Sequence, residues 1–503
     1  MPSTFYGINL ALRAVLSQQN VMQVIEHNVA NANTPGYRRQ QAVLVAGLPY
    51  APPNLRRDST PGQYGGSVMV DRVQRFNLEF FDGRFRRELG DAKRWEAERD
   101  TLQQVEAALA ENTTDGLLPK LDAFWSGWQS VSADPTNTAL RADLVERSQA
   151  LVDGVNRRAT ALSTLRTDQD LAVRQRVEDI NTMASTVASL NVEIARVMAV
   201  GDEPNDLLDE RDRLLDQLSE VAGAESHMQP NGEMIVSIGG HVLVMGATTL
   251  AVTANVGPTA MDPARLARLG WQDGQPFNVP RGELAGLLDA RDRVVVGQQT
   301  ALDTFAQTLF AQVNAAHVAG FALNGAATGI PFFEPPDTTA PANPAPAVAN
   351  NPSFLVTPIT ALNLRLSSQI KADVANIAAA QSANAPGDGN NARAIFDIQS
   401  RLVANGNTAT LNQSYTALVG VLGLEVRHAV SAAEDRGLVA DSLDKQRESV
   451  GGVNLDEEAA NLAQAQRAYN AAARLMTTMD DMLDRIINGM GRVGLYAHGQ
   501  RGS

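Results

Sequence analysis

Apolar residues fall at helical spacing at both ends of this chain and over long interior stretches, with short valine-rich runs between them. At the carboxyl end Leu462, Ala465, Tyr469, Ala472, Met476, Met479, Leu483, Ile486 and Met490 recur alternately three and four residues apart. That is the a/d seam of a coiled coil, sustained over about four heptads. Asn454 with Glu457 three residues later has the form of a capping box and predicts a helix beginning near Leu455. At the amino end Ile8, Leu12, Val15, Met22, Ile25 and Val29 trace a second seam, interrupted by Gln18 and Gln19 and stopped by Pro35-Gly36.

Between these ends the pattern changes several times. Residues 36–66 hold the turn formers Pro49, Pro52, Pro53, Pro61, Gly62, Gly65 and Gly66 and predict a non-helical connector, with a short strand over Ser67–Val73. Helical spacing runs from about Phe80 to Leu218, through Leu102, Val105 and Leu109 and then Leu151, Val155, Leu162, Leu165, Val173, Val177 and Ile180. Over Ala224–Val256 the runs Met234–Ile238 and Val242–Val244, parted by Gly239-Gly240, predict β-hairpins. A helical pattern returns from Glu283 to about Ala319, a Pro/Ala-rich loop follows at Pro335–Pro352, and Leu362, Leu364 and Leu366 alternate like a strand. A last helical region is expected from Asn391 to Arg447.

The fold class this order predicts is mainly α with inserted β, in discontinuous nested domains. Residues 1–66 and 453–503 form a terminal-helix coiled coil with its connector. Residues 67–223, 283–322 and 391–452 form a long-helix bundle, and residues 224–282 and 323–390 a β-rich outer domain. The alternative, a linear string of domains, leaves each terminal seam without a partner.

The polar faces of the terminal helices change the picture. From Met1 to Pro35 the only charges are Arg13 and Glu26, while Asn9, Gln18, Gln19, Asn20, Gln23, Asn28, Asn31 and Asn33 supply the polarity. A solvated helix carries charges on its outer face; an amide-rich face suits packing against copies of itself or lining a wet channel. Periodicity alone leaves a coiled coil within one soluble molecule equally open. The alanine-rich seam offers little apolar burial against the cost of ordering two long helices, so both ends are expected to fold on assembly.

Composition narrows the function classes. The 503 residues carry a formal charge of -14, which argues against nucleic acid or an anionic membrane as partner. Residues 37–99 are locally basic, twelve Arg or Lys against eight Asp or Glu, an excess read as solvated or subunit-contacting surface. With no cysteine, disulfides, thiolate metal sites and cysteine nucleophiles are excluded. No apolar run approaches the roughly 18 residues of a membrane span, and the amino terminus lacks the basic and apolar regions of a cleaved signal.

Two motifs carry a resemblance. Asn28-Val29-Ala30-Asn31-Ala32-Asn33-Thr34-Pro35-Gly36-Tyr37 resembles the amino-terminal signature of the flagellar rod, hook and hook-associated proteins, and Gly452-Val453-Asn454-Leu455-Asp456-Glu457-Glu458-Ala459-Ala460-Asn461-Leu462 is similar to the end of the same family. Two interior segments, Asn205–Asp212 and Gly282–Asp292, resemble the hook-associated branch that sits at the hook–filament junction. The resemblance implies a structural subunit on the distal end of the hook, extracellular, exported without a cleaved signal peptide through the flagellar type III apparatus. It implies self-assembly into a ring or short helical tube, contacts with hook protein and with a second junction protein next to flagellin, and an export chaperone over the carboxyl helix. Another axial subunit, hook or rod, and a non-flagellar coiled-coil adhesin are the competing readings. The chain departs from the family by continuing past Ile487 through Gly489, Gly491 and Gly494 to Ser503.

No constellation points to catalysis or a cofactor. Asp206, Asp209, Asp212 and Asp216 share a helix face but are interspersed with Arg211 and Arg213 and lack a calcium-loop pattern, so a salt-bridged surface is expected. His27, His227, His241, His317, His428 and His498 form no His-Glu-x-x-His. Gly62, Gly65 and Gly66 precede no Lys-Ser or Lys-Thr, and there is no Gly-x-Ser-x-Gly. The residues expected to act are those of an assembly interface, Leu12, Val15, Met22, Ile25, Val29, Leu462, Tyr469, Met476, Met479, Leu483 and Ile486. The motif positions Asn28, Asn31, Thr34, Pro35, Gly36, Tyr37, Asn454, Leu455, Asp456, Glu457 and Glu458 complete the set.

Overall fold

The computed structural model describes residues 5–48, 65–77, 79–109, 115–256, 266–326, 329–334 and 359–490. The turn formers from Pro49 to Gly62, the Pro335–Pro352 loop and the tail from Gly491 lie outside the described residues. The chain is mainly α with small inserted sheets. It forms two discontinuous compact units, one of Met1–Leu89, Ile180–Ala251 and Gly437–Ser503, the other of Gly90–Asp179 and Val252–Arg436.

Its helices are α1 (Tyr6–Ala30), α2 (Glu79–Leu109), α3 (Leu117–Ala133), α4 (Thr138–Ala199), α5 (Asn205–Ala222), α6 (Glu283–Asp289), α7 (Val295–Ala319), α8 (Ser368–Ala372), α9 (Asn390–Phe396), α10 (Leu411–Gly451) and α11 (Leu455–Met490). The strands are β1 (Gln40–Ala46), β2 (Val68–Arg75), β3 (Glu225–Met228), β4 (Met234–Ile238), β5 (His241–Met245), β6 (Thr248–Thr249), β7 (Val252–Val256), β8 (Ala267–Trp271), β9 (Phe333–Glu334) and β10 (Arg365–Leu366).

In the first unit α1 and α11 pair, and an antiparallel ribbon of β1 and β2, paired from Gln40 opposite Arg75 to Ala46 opposite Val68 with a shift of register between Val43 and Leu44, lies against α1. Ser17 Oγ donates to Val68 O at 2.9 Å and Ser67 Oγ to Leu10 O at 2.8 Å, which ties β2 to the helix. The ribbon narrows at Gly47 and Gly66, where a Cβ on Gly66 would lie 2.5 Å from the Gly47 carbonyl, so only glycine permits the approach. A four-stranded antiparallel sheet, in the order β3-β4-β5-β6, follows α5. The β4–β5 reversal uses Gly239 and Gly240 at φ of 57° and 83°, left-handed geometry that glycine adopts without strain. Asn191 pins this sheet, accepting from Met234 N and donating to Met234 O, both at 2.9 Å.

The second unit is built on an aromatic and aliphatic core. Phe124, Trp125 and Trp128 of α3, Leu151, Val155 and Leu162 of α4, Leu302, Phe305 and Leu309 of α7, Phe332 and Phe333, and Leu411, Tyr415 and Leu422 of α10 are all buried in one cluster. The helical members of this cluster recur at the three- and four-residue spacing of single helix faces, and Phe332 and Phe333 enter from the loop and strand after α7. His317 lies within it, donating from Nδ1 to Ile330 O at 2.8 Å while Nε2 accepts Ala378 N–H at 3.0 Å.

Three expectations are corrected. The helical stretch from Asn391 to Arg447 is broken at 401–410, where Asn405, Gly406 and Asn407 all take positive φ. Leu362 is exposed and lies in a turn closed by Asn363 N donating to Thr360 O at 3.2 Å; only Arg365–Leu366 joins a ladder. The connector after the first helix contains β1, which its flanking prolines and glycines had obscured. One described stretch, Leu411–Asn488, includes an 18-residue window of mean hydropathy 1.2, apolar enough by composition to cross a membrane. The same stretch supplies Leu411, Tyr415, Leu422 and Ala429 to the core.

Candidate assembly surface

The seams at the two ends of the sequence meet. α1 and α11 run antiparallel, since Gly7 packs against Met479, its added Cβ falling 3.0 Å from the sulfur, while Asn28 meets Glu458. Ile25 and Leu483 are buried in the pair, and Val15, Met22, Leu462, Tyr469 and Met479 are half-buried. The remaining seam residues are not covered: Leu12, Val29, Met476 and Ile486 are 40%, 44%, 37% and 46% exposed. Two helices bury one stripe each, and these sequences carry apolar residues over a wider arc than one partner covers. Leu16, Leu475, Met482 and Ile487 add to the uncovered surface.

The family-type motifs form a clasp at one end of this pair. Asn28 is 1% exposed and its amide is saturated: Nδ2 donates to Gln40 O at 2.8 Å and to Glu458 Oε2 at 3.2 Å, and Oδ1 accepts from Gln40 N at 2.9 Å and Tyr37 OH at 2.8 Å. Arg39 forks across the carboxyl motif, Nε donating to Glu458 at 2.7 Å and Nη2 to Glu457 at 2.9 Å. Charge-assisted pairs of this kind are the stronger class of hydrogen bond. Burial, with Asp206, Asp209 and Glu458 nearby, raises the Tyr37 hydroxyl pKa well above its usual value, so it stays a donor.

The turn between α1 and β1 is built from the same motif. Asn31 Nδ2 donates to His27 O, Thr34 N to Asn31 O and Tyr37 N to Thr34 O, and exposed Pro35 precedes Gly36 at φ 84°. At the other motif Asn454 Oδ1 accepts from Asp456 N at 3.0 Å and Glu457 N at 3.3 Å, capping α11. The Glu457 carboxylate goes to Arg39. Leu455 is exposed, and Asp456 stands with Glu457 and Glu458 in the first turn, where the helix dipole favours acids.

Behind the clasp lies a cluster of charge that overturns the expectation of a salt-bridged surface at Asp206–Asp216. Asp209 and Asp212 are buried. Arg75 reaches Asp209 at 2.7 Å and approaches Asp212 at 2.9 Å as a charge contact, Arg86 reaches Asp216 at 2.7 Å and Asp212 at 3.2 Å, Arg38 reaches Asp82 at 2.6 Å, and Arg447 reaches Asp216 at 2.6 Å. Arg38 also donates its backbone N–H to Asp209 at 3.0 Å. Burial raises the Asp82 and Asp209 pKa values despite their arginines. Asp212 is buried too, but Arg75, Arg86 and Arg211 outweigh that and hold it below the usual carboxylate range. Desolvation lowers Arg211 to about 10; it donates to Gly232 O at 2.6 Å.

Sequence reasoning passed over Arg38, Arg39, Gln40, Arg75, Arg86 and Arg447. For Arg38, Arg39, Arg75 and Arg86 the signal was the basic excess of residues 37–99, matched by the acidic run of α5; Gln40 and Arg447 gave none. Among the described residues no three His, Asp or Glu side chains are grouped to hold a metal ion.

Comparison with known proteins bears on both the interior and the ends. The family described as "Flagellar hook-associated protein FlgK helical domain" matches residues 102–333, and "Flagellar basal body rod FlgEFG protein C-terminal" matches residues 449–489. Flagellar hook-associated protein 1 of Bacillus subtilis (strain 168) is 28% identical over 521 residues, covering 98% of this chain and 99% of its own. The protein of the same name from Escherichia coli (strain K12) is 26% identical, with 96% and 99% covered. The solved flagellar hook junction protein FlgK from Burkholderia pseudomallei shares the fold, with a TM-score of 0.64 at 16% identity over 73% of this chain and 100% of that one.

Proposed function

We infer that this chain, a homologue of flagellar hook-associated protein 1 along nearly its full length, builds the hook–filament junction through its two terminal helices. It is a structural, hook-associated component of the bacterial flagellum, an extracellular appendage, and it assembles with other flagellar components. The finer reading is that copies pack side by side on the distal end of the hook as a ring or short tube. Hook protein lies on one side and a second junction protein, next to flagellin, on the other. The observation that carries this is the set of uncovered apolar residues Leu12, Val29, Met476 and Ile486 on a helix pair clasped by both motifs. Apolar surface of that kind gains free energy when a neighbour removes it from water.

Export in an extended state, with a chaperone over the carboxyl helix, agrees with the sparsely charged amino helix and with helices that gain most of their burial from neighbours. The reading assigns no catalytic step, and the assembly and motif residues are the ones that act. Deleting the encoding gene tests it. The expected cells have completed hooks, no filaments and flagellin shed into the medium, and the intact gene restores filaments. Cells without hooks would instead identify a rod or hook subunit, and normal flagella would refute the flagellar reading.

A further inference from the structure

A heptad seam looks the same after a slip of seven residues, so apolar matching alone does not fix how two such helices align. The ambiguity is sharp between α1 and α11, where Ala465 and Ala472 give small knobs. One residue breaks it. Glu458 continues the three-four spacing of the carboxyl seam, four residues before Leu462 and seven before Ala465, yet it is a carboxylate and only 1% exposed. Across from it sits Asn28, equally buried, and Arg39 closes over it. The Gly7–Met479 contact lies 21 residues from this pair along each helix, three whole heptads.

We propose that Glu458 is the register-setting residue of the terminal helix pair, read by Asn28 and Arg39. A slip of one heptad, about 10.5 Å along the axis, again sets the a/d positions of one helix against those of the other. It also places Glu458 opposite Val21 or Pro35, where neither side chain offers a polar hydrogen. A buried polar residue at one seam position selects register in this way at some cost in stability. The selected alignment decides which exposed apolar residues of the two helices lie near each other. That consequence rests on the junction reading; the alignment itself is internal to the chain.

The chain has no cysteine, so introduced pairs report alignment directly. Gln18→Cys with Ala468→Cys matches the observed register, ten residues from Asn28 and from Glu458, and Gln18→Cys with Asn461→Cys matches a one-heptad slip. With a short bismaleimide on assembled protein, the native pair is expected to cross-link at least about tenfold better than the slipped pair, equivalent to about 1.4 kcal/mol. In Glu458→Leu, which leaves Arg39 its Glu457 partner, the ratio should approach one. Glu458→Gln, which keeps an acceptor for Arg39, should hold the native ratio. An unchanged ratio in Glu458→Leu overturns the proposal, as does loss of both cross-links, which would make Glu458 a requirement for pairing instead of a selector. Failure of the junction reading would appear in filament counts of the deletion strain, a readout separate from the ratio of native to slipped cross-link.

Discussion

Replacing Asp212 by Asn and, separately, Asp82 by Asn should have unequal consequences, although both carboxylates are buried among arginines. Asp212 lies between Arg75 at 2.9 Å and Arg86 at 3.2 Å, and these cations outweigh its burial. Neutralising it leaves two buried guanidiniums short of a counter-charge, a change that costs about 3–5 kcal/mol when one partner of a buried pair is removed. For Asp82 burial outweighs Arg38, Arg86 and Arg447, so its charge is held less favourably, but Asp82→Asn still strips buried Arg38 of its carboxylate at 2.6 Å, and the variant should be destabilised by less than Asp212→Asn at pH 7. The pH dependence follows. A lowered carboxylate pKa contributes stability above its unfolded value of about 3.9 that is lost as pH falls through the folded value. A raised one, as at Asp82 and Asp209, contributes stability in acid that is lost as pH rises through the folded value.

Urea unfolding followed by far-ultraviolet circular dichroism reads the difference. With an m-value of about 3 kcal/mol/M, Asp212→Asn should lower the midpoint of the first unit by about 1–1.7 M. The four tryptophans, Trp95, Trp125, Trp128 and Trp271, all belong to the second unit, so tryptophan fluorescence should keep its midpoint and locate the loss. Equal midpoints for the two variants would refute the reasoning.

The second unit should be acid-sensitive through His317, whose burial lowers its pKa from 6.5 to about 4. Only the unfolded state binds the proton between those values, so stability falls as pH drops across that window, by about 3 kcal/mol in total; His317→Gln should flatten the dependence of the tryptophan transition. Met479→Asp with Leu483→Asp puts charge into the half-buried and buried part of the pair and should abolish junction assembly, with the tryptophan transition retained; wild-type filament numbers would contradict this. In the free monomer, amide exchange over residues 1–35 and 455–490 should be fast, and strong protection throughout would show that the pair does not wait for neighbours.

Where function depended on local pattern, the sequence was readable. The start of α11 at Leu455, the stop at Pro35-Gly36 and the Gly239-Gly240 hairpin each follow from a few adjacent residues. Pattern failed where chemistry was non-local. The acids of α5 looked like solvated charge because their partners, Arg38, Arg75, Arg86 and Arg447, lie more than a hundred residues away in the chain, and only the fold brings them together. Leu362, Leu364 and Leu366 alternate as a strand would, but the Thr360 carbonyl takes the Asn363 and Leu364 amides into a turn instead. Glu458 was legible as a motif residue at seam spacing, whereas its burial against Asn28 and Arg39 required the fold.

The central claim is that the clasped helix pair leaves apolar surface for neighbouring subunits. Its most direct test is to count filaments per cell in a gene-deletion strain supplied with the Leu12→Asp, Met476→Asp variant, whose changes are at exposed apolar positions of the pair. The account predicts secreted protein with an unaltered urea transition and filament numbers as low as in the deletion strain. Wild-type filament numbers would contradict it.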